Sequence, residues 1–409
     1  MNEQTDFRTK LGRNQTREGC LQSRRDERAV PRRILVVKLA DIGDMLTATP
    51  SLRALRESFP SSHISALVTP ASAEVLEGLP WINNIIRFDK GLYDAPFRAF
   101  MPSKLAQAIR MGITLRRSQF DTVVVLHHLL TWWGVIKYAL LALGSGAKIR
   151  LGLDDGRGWF YTHRAMDGGF GYLHEVDYWL STVAVIGART RDRRLRMFVS
   201  PEDDSVADRL IAGLHPPLVA IHPGSGNYSL ARRWPVERFA QVADGLIDAL
   251  GATIVIVGGP AEVDLAREMA SMMRGRSANL AGKTSLKQLA AVLGRCDLFA
   301  GNDSGVMHVA VAVNTPVVAV FGPSNYRAWG PYFADSIPRN DGIFREKGAL
   351  IRPVRACSPC LYPNPYRSGS RPCAEVSCLH DIPADTVLAA GVQLLDPVRR
   401  AKSIDNLVV

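Results

Sequence analysis

The sequence predicts an α/β protein made of two doubly wound, Rossmann-like halves. Residues Arg33-Ile34-Leu35-Val36-Val37-Lys38-Leu39 form a short apolar, β-branched run of the kind buried in a parallel sheet. Strand and helix patterns alternate behind it at the pitch of right-handed crossovers. The alternation restarts near Leu218, beyond a hinge expected within Arg189–Pro217. A length of 409 residues suits two domains of about 150–200 residues each.

In the first half, the opening strand ends in Ala40-Asp41-Ile42-Gly43-Asp44. A helical pattern follows from about Met45 to Ser58, with Leu46, Leu52, Leu55 and Phe59 on one side and Pro60 as its stop. Strands are expected over His63–Val68, near Ile85–Phe88 and over Asp121–Leu126, with a helix over Ser72–Glu77. The longest apolar stretch, Leu129–Leu143, is too short to span a bilayer and carries Lys137 in its middle. It is expected as a buried helix, with a membrane-apposed helix as the alternative.

In the second half, Leu218–His222, Thr253–Val257, Leu298–Ala300 and Val317–Phe321 read as strands. Glu237–Leu250, Ala261–Met273, Ser285–Gly294 and Val306–Val313 read as helices. The expected domains are residues 32–200 and 201–380, with a helix and tail over 381–409.

Apolar residues make up 47% and charged residues 22%, which places the chain among globular proteins rather than disordered ones. The net charge of +11 suits an anionic partner, and charge alone does not choose among nucleic acid, membrane and phosphorylated substrates. The absence of an RNA-binding or helix-turn-helix signature sets nucleic acid aside. Met1–Pro31 is polar and Arg-rich without an apolar signal core, so it reads as a basic disordered tail and the cytoplasm as the default compartment.

Ligands of open α/β sheets bind beyond the carboxyl ends of the strands. Three such ends in the second half carry small residues: Gly224-Ser225-Gly226, Gly258-Gly259 and Asp303-Ser304-Gly305. Small residues let backbone N–H groups approach phosphate oxygens, and a helix N-terminus behind them favours an anion. A single loop of this kind is usually just a turn; three in one half point to a nucleotide-phosphate site. No Gly-Lys-Ser/Thr follows any of them, which excludes a Walker A loop, and the first strand's turn lacks a dinucleotide fingerprint.

Asp44, just after the first strand, fits either a helix-start carboxylate, worth about 0.5–2 kcal/mol, or a general base facing the cleft. Spacing alone favours the first role, although Asp41 could fill it instead. His308 falls one turn into the helix after Ser304, and His127 and His128 end a strand. Each suits packing or a ligand contact. Cys357-Ser358-Pro359-Cys360, with Cys373 and Cys378, admits a structural zinc site, reduced structural thiols or an occasional disulfide. The second pair is spaced more loosely than a usual zinc knuckle.

Taken together, these motifs resemble glycosyltransferase family 9, the ADP-heptose:lipopolysaccharide heptosyltransferases, from about Arg32 to about Val392. The resemblance rests on Ile34–Lys38 running into Gly43-Asp44 and Thr49-Pro50, and on His222-Pro223-Gly224 followed by Arg233-Trp234-Pro235. It rests further on Gly301–Gly305 with His308, on Phe321-Gly322-Pro323-Ser324, and on the Cys-x-Pro-Cys segment. It implies a GT-B fold with an N-terminal acceptor domain, a C-terminal ADP-sugar domain facing it across a central cleft, and an inverting, metal-independent transfer. Asp44 matches the family's base, against the preference from spacing. Asp303, Ser304 and Gly305 match the loop that contacts donor sugar and phosphates, and His308 a histidine near them. The small-residue loop at Ser225 belongs to the same donor side. The resemblance also implies Glu262 at the ribose, Thr284 beside the adenine, and Arg232 at the pyrophosphate in place of the usual lysine. No cofactor is expected beyond the ADP-sugar co-substrate. The acceptor is expected to be a lipid-linked glycan of lipopolysaccharide-core type, with peripheral contact at the inner membrane. The apolar Leu129–Trp133 and the Arg-rich tail depart from the family pattern.

Overall fold

The computed structural model describes residues 30–89, 102–226, 229–333, 343–344, 347–355, 357–361 and 377–396. The basic tail up to residue 29, Cys373 and the segment after 396 lie outside the described residues.

The first half runs β1 (Arg33–Lys38), α1 (Ile42–Ser58), β2 (His63–Val68), α2 (Pro70–Leu76), β3 (Asn84–Arg87), α3 (Pro102–Arg117), β4 (Thr122–Val125), α4 (Trp132–Gly144), β5 (Ile149–Asp154), β6 (His163–Met166) and α5 (Glu175–Ala184). After α6 (Pro201–Leu210), the second half runs β7 (Leu218–His222), α7 (Val236–Leu250), β8 (Thr253–Ile256), α8 (Val263–Met272), β9 (Ser277–Asn279), α9 (Leu286–Leu293), β10 (Leu298–Asn302), α10 (Gly305–Ala312) and β11 (Val317–Val320). It ends with α11 (Tyr326–Trp329), β12 (Ile343–Phe344), β13 (Gly348–Ile351), α12 (Ser377–His380) and α13 (Ala384–Leu395).

The first sheet has the order β3-β2-β1-β4-β5-β6 and is parallel throughout. The second has the order β12-β13-β11-β10-β7-β8-β9, with only the short β12 antiparallel. Both reverse direction of winding beside a central strand, β1/β4 and β7/β10, which is where a doubly wound sheet opens its crevice.

One apolar core joins the two halves. It runs from Ile34, Val36, Met45, Leu46 and Leu52 of the first half to Phe299, Met307, Val309 and Ala319 of the second. A second core lies under α3 and α4, with Leu115, Val123, Val125, Val135, Tyr138 and Phe160. A third lies under α7 and α13, with Ile221, Phe239, Leu246, Leu298, Val387 and Leu394. α13 therefore belongs to the second sheet's packing.

α1 begins at Ile42, earlier than expected, because the carbonyl of Asp41 already accepts from Met45 N–H. The helix continues through Pro50, which cannot donate to the Leu46 carbonyl. The Thr49 hydroxyl donates to that carbonyl instead, at 2.7 Å. The expectation of a buried helix over Leu129–Leu143 needs correcting. α4 buries only Val135, Tyr138, Ala139 and Ala142, and leaves Trp132, Ile136, Leu140 and Leu143 exposed. Its hydrophobicity is all-round, but it has only one sheet face to cover.

Candidate active site

The carboxyl ends of β1 and β10 are adjacent across a cleft of about 700 Å³. Two helix N-termini meet on its floor. A Cβ on Gly43, in the first turn of α1, would sit 2.8 Å from Cδ2 of His308 and within 3.4 Å of Cα of Gly305. Only glycine permits this approach, and it brings Asp44 to the same cleft as the Asp303–Gly305 loop. The Asp44 carboxylate accepts from the Trp329 indole N–H at 3.3 Å. Trp329 belongs to a segment of the second half that the first half holds in place. Asn325 donates to the Phe170 carbonyl at 3.1 Å, and His174 donates to the Gly330 carbonyl at 2.9 Å. Burial pushes His174 down to about 4, so it is a neutral donor.

The α10 tip is capped from within. The Ser304 hydroxyl accepts from Met307 N–H and donates to Nδ1 of His222 at 3.2 Å. Nε2 of His222 donates to Glu262 at 2.9 Å. Glu262 also accepts from the backbone N–H groups of Gly226 and Gly259, each at 3.0 Å. Burial opposes the charge on Glu262, yet the His222 ring and these backbone donors hold its carboxyl down to about 2. Asn302 ties the neighbouring loop, donating to the carbonyls of Pro223 and Gly224 at 2.9 and 3.0 Å.

Arg232, in a short 3₁₀ turn, reaches into the cleft. It donates to Asp303 at 3.2 Å and to the Ser225 carbonyl at 3.0 Å. His308 is buried, and burial pushes its pKa below the ordinary value against the pull of Asp303 and Asp44. Its Nδ1 and the hydroxyl of Ser324 are buried in the cleft wall with no hydrogen-bond partner among the described residues. Buried polar atoms left so are costly, and a polar ligand would satisfy them.

On the first-half wall, His128 donates to Asp167 at 2.7 Å and to Glu175 at 3.1 Å. Burial alone would lower its pKa, but the two carboxylates raise it to about 9. Phe170 packs tilted and Trp179 edge-on against it, with ring centroids at 4.5 and 5.4 Å. The buried Lys38 lies 3.8 Å above the Trp179 ring.

Of the residues singled out from sequence, Asp44, Ser225, Arg232, Asp303, Ser304, Gly305 and His308 converge on this cleft, as do His127 and His128. Glu262 lies behind the Gly226 loop and Thr284 precedes α9, so neither is part of the cleft lining. Cys357 is exposed, Cys360 partly so, and Cys378 is buried in the third core. Among the described residues no cluster of three or more His, Cys, Asp or Glu could hold a metal ion. Sequence reading missed Trp329, Asp167, Glu175, Phe170 and Trp179, which come from far along the chain. Lys38 and Ser324 carried a signal, since each closes a motif at a strand end.

The family model for glycosyltransferase family 9 (heptosyltransferase) matches residues 108–339, more than half the chain. The chain belongs to glycosyltransferase family 9. It is accordingly a glycosyltransferase, and its two Rossmann-like sheets are those of the GT-B fold. It is 24% identical over 308 residues to the lipopolysaccharide core heptosyltransferase OpsX of Haemophilus influenzae, covering 74% of this chain and 82% of the relative. It is 28% identical over 316 residues to lipopolysaccharide heptosyltransferase 3 of Escherichia coli, covering 74% and 87%. A family 9 crystal structure from Veillonella parvula aligns with a TM-score of 0.68 at 25% identity, covering 89% of this chain and 97% of that one. The E. coli ADP-heptose lps heptosyltransferase II, at 22% identity, aligns with a TM-score of 0.65 over 89% and 98% and so shares the fold.

Proposed function

We propose that this family 9 enzyme moves heptose, or a related sugar, from an ADP-sugar to a lipopolysaccharide-core-type, lipid-linked acceptor. The names of its relatives support that substrate pair. The single observation that supports the chemistry is the meeting of the α1 and α10 tips, with Asp44, Ser304 and Gly305 lining one cleft. In this reading residues 32–200 bind acceptor and residues 201–380 bind donor.

Transfer is inverting. The acceptor hydroxyl oxygen attacks the anomeric carbon from the face opposite ADP, the bond to the diphosphate breaks, and Asp44 takes the hydroxyl proton. The Trp329 N–H fixes the carboxylate's orientation while leaving its second oxygen for that proton. Negative charge that develops on the departing diphosphate meets Arg232, the backbone N–H groups at Ser304–Gly305 and the partial positive charge of the α10 tip. These groups replace a metal ion, so the reaction is metal-independent. Asp303, positioned by Arg232, addresses the sugar; Ser225 and His308 flank the phosphates. The resemblance assigns Glu262 to the ribose and Thr284 to the adenine; Glu262, behind the cleft lining, acts there through the Gly226 loop that it holds.

Asp44→Asn tests this directly. Turnover is expected to fall by about 10²–10⁴-fold, while ADP affinity stays nearly unchanged, measured by product mass spectrometry and calorimetry. Unchanged turnover removes Asp44 from the mechanism. Thermal shift with ADP against UDP tests the nucleotide, with the larger shift expected for ADP.

A further inference from the structure

α3 and α4 cover the same core side by side, and each turns an apolar stripe away from it. On α3 the stripe is Leu105, Ile109 and Ile113; on α4 it is Trp132, Ile136, Leu140 and Leu143. These seven side chains are between 42% and 68% exposed. Single exposed apolar residues are ordinary, but two neighbouring stripes at helical spacing make a continuous patch. Trp159 is also exposed, next to Phe160 of the core beneath these helices.

The charge around the stripes has one sign. Between residues 102 and 153 stand seven basic residues, Lys104, Arg110, Arg116, Arg117, Lys137, Lys148 and Arg150, and one acidic residue, Asp121. Asp121 is engaged by the backbone N–H groups of Arg32 and Arg33 at the foot of the sheet. Arg110, Arg116 and Arg117 are exposed beside the α3 stripe. No helix among the described residues is long and apolar enough to cross a membrane.

We infer that the outer face of α3 and α4 docks in the plane of an anionic phospholipid bilayer. Apolar stripes of this width enter the headgroup–acyl boundary, basic flanks meet anionic headgroups, and tryptophan favours that depth. The charge pattern selects lipid over a second copy of this chain, because two such faces would repel. α4 starts immediately after His127, His128 and Leu130, which line the cleft. Docking therefore holds the acceptor wall at the lipid surface, where a lipid-linked glycan would be presented. That last consequence rests on the proposed acceptor; the docking itself does not.

Flotation of the full chain with vesicles tests the inference without donor or acceptor present. Binding is expected to phosphatidylglycerol–phosphatidylethanolamine vesicles, to weaken with salt, and to be slight with phosphatidylcholine alone. Ile136→Ser with Leu140→Ser, and separately Arg110→Glu with Arg117→Glu, should each weaken binding at least about tenfold, since one basic residue near the surface contributes roughly fivefold. Retained ADP binding shows that these surface variants are folded. The inference is overturned if the full chain does not float, if the variants float as it does, or if the serine variant instead converts a dimer into a monomer. A full chain that floats but transfers no sugar to a lipid-linked acceptor would count against the acceptor assignment alone.

Discussion

The two helix tips that meet in the cleft are built differently. The α10 tip is closed by its own Ser304 hydroxyl and braced through His222 to Glu262 and two loop N–H groups. The α1 tip has no side-chain cap, since Asp41 makes no such bond, and among the described residues the Asp44 carboxylate in its first turn accepts from the opposite half alone, from Trp329. One tip is finished before any ligand arrives; the other is completed by contact between the halves. The proposed mechanism accounts for the difference, because a tip that holds a diphosphate gains from fixed donors, whereas a base that serves an incoming hydroxyl needs an open side.

This contrast can be broken from either tip. Asp44→Asn carries the largest expected effect, on turnover and not on ADP binding. Arg232→Met comes next. It leaves Asp303 buried without its guanidinium, and should lower stability by about 3 kcal/mol in denaturant titration and weaken ADP binding as well. Arg232→Lys should lose less, because charge is kept while the two-pronged geometry is lost.

A third effect is set by pH on the first-half wall of the cleft. The folded-state pKa of His128, about 9, lies above its ordinary 6.5. Its contribution to stability is thus fully present below about pH 6.5 and is lost as pH rises through about 9. Melting temperature should decline across that window, and His128→Gln should flatten the decline while lowering stability at neutral pH. The smallest effect belongs to Ser304→Ala. Loss of the cap should cost about 1 kcal/mol and raise KM for the donor more than it changes kcat. A large fall in kcat there would show that the two tips are not independent.

The sequence made the alternation of strands and helices legible because fully buried parallel strands are short β-branched runs. β1, β2 and β7 fall almost where the pattern places them. Helices α3 and α5 were not, since α3 presents apolar residues to both core and surface and α5 mixes Glu175 and Asp177 into its first turn. The Gly301–Gly305 loop was legible because its residues are contiguous in the chain. The His128–Asp167–Glu175 cluster was not, because its members lie 39 and 47 residues from the histidine, and no local spacing encodes their meeting. Trp329 reaches Asp44 across 285 residues, which only the closed cleft reveals.

The approach of Gly43 to His308 has a consequence for recombination. GT-B halves invite exchange, one acceptor domain grafted onto another donor domain. Here the seam between the halves has no slack at a single point, where a Cβ would lie 2.8 Å from the imidazole. A chimera inherits a working joint only if the first-half glycine and the second-half histidine travel as a matched set. The modularity of this enzyme is limited by one hydrogen atom's worth of space.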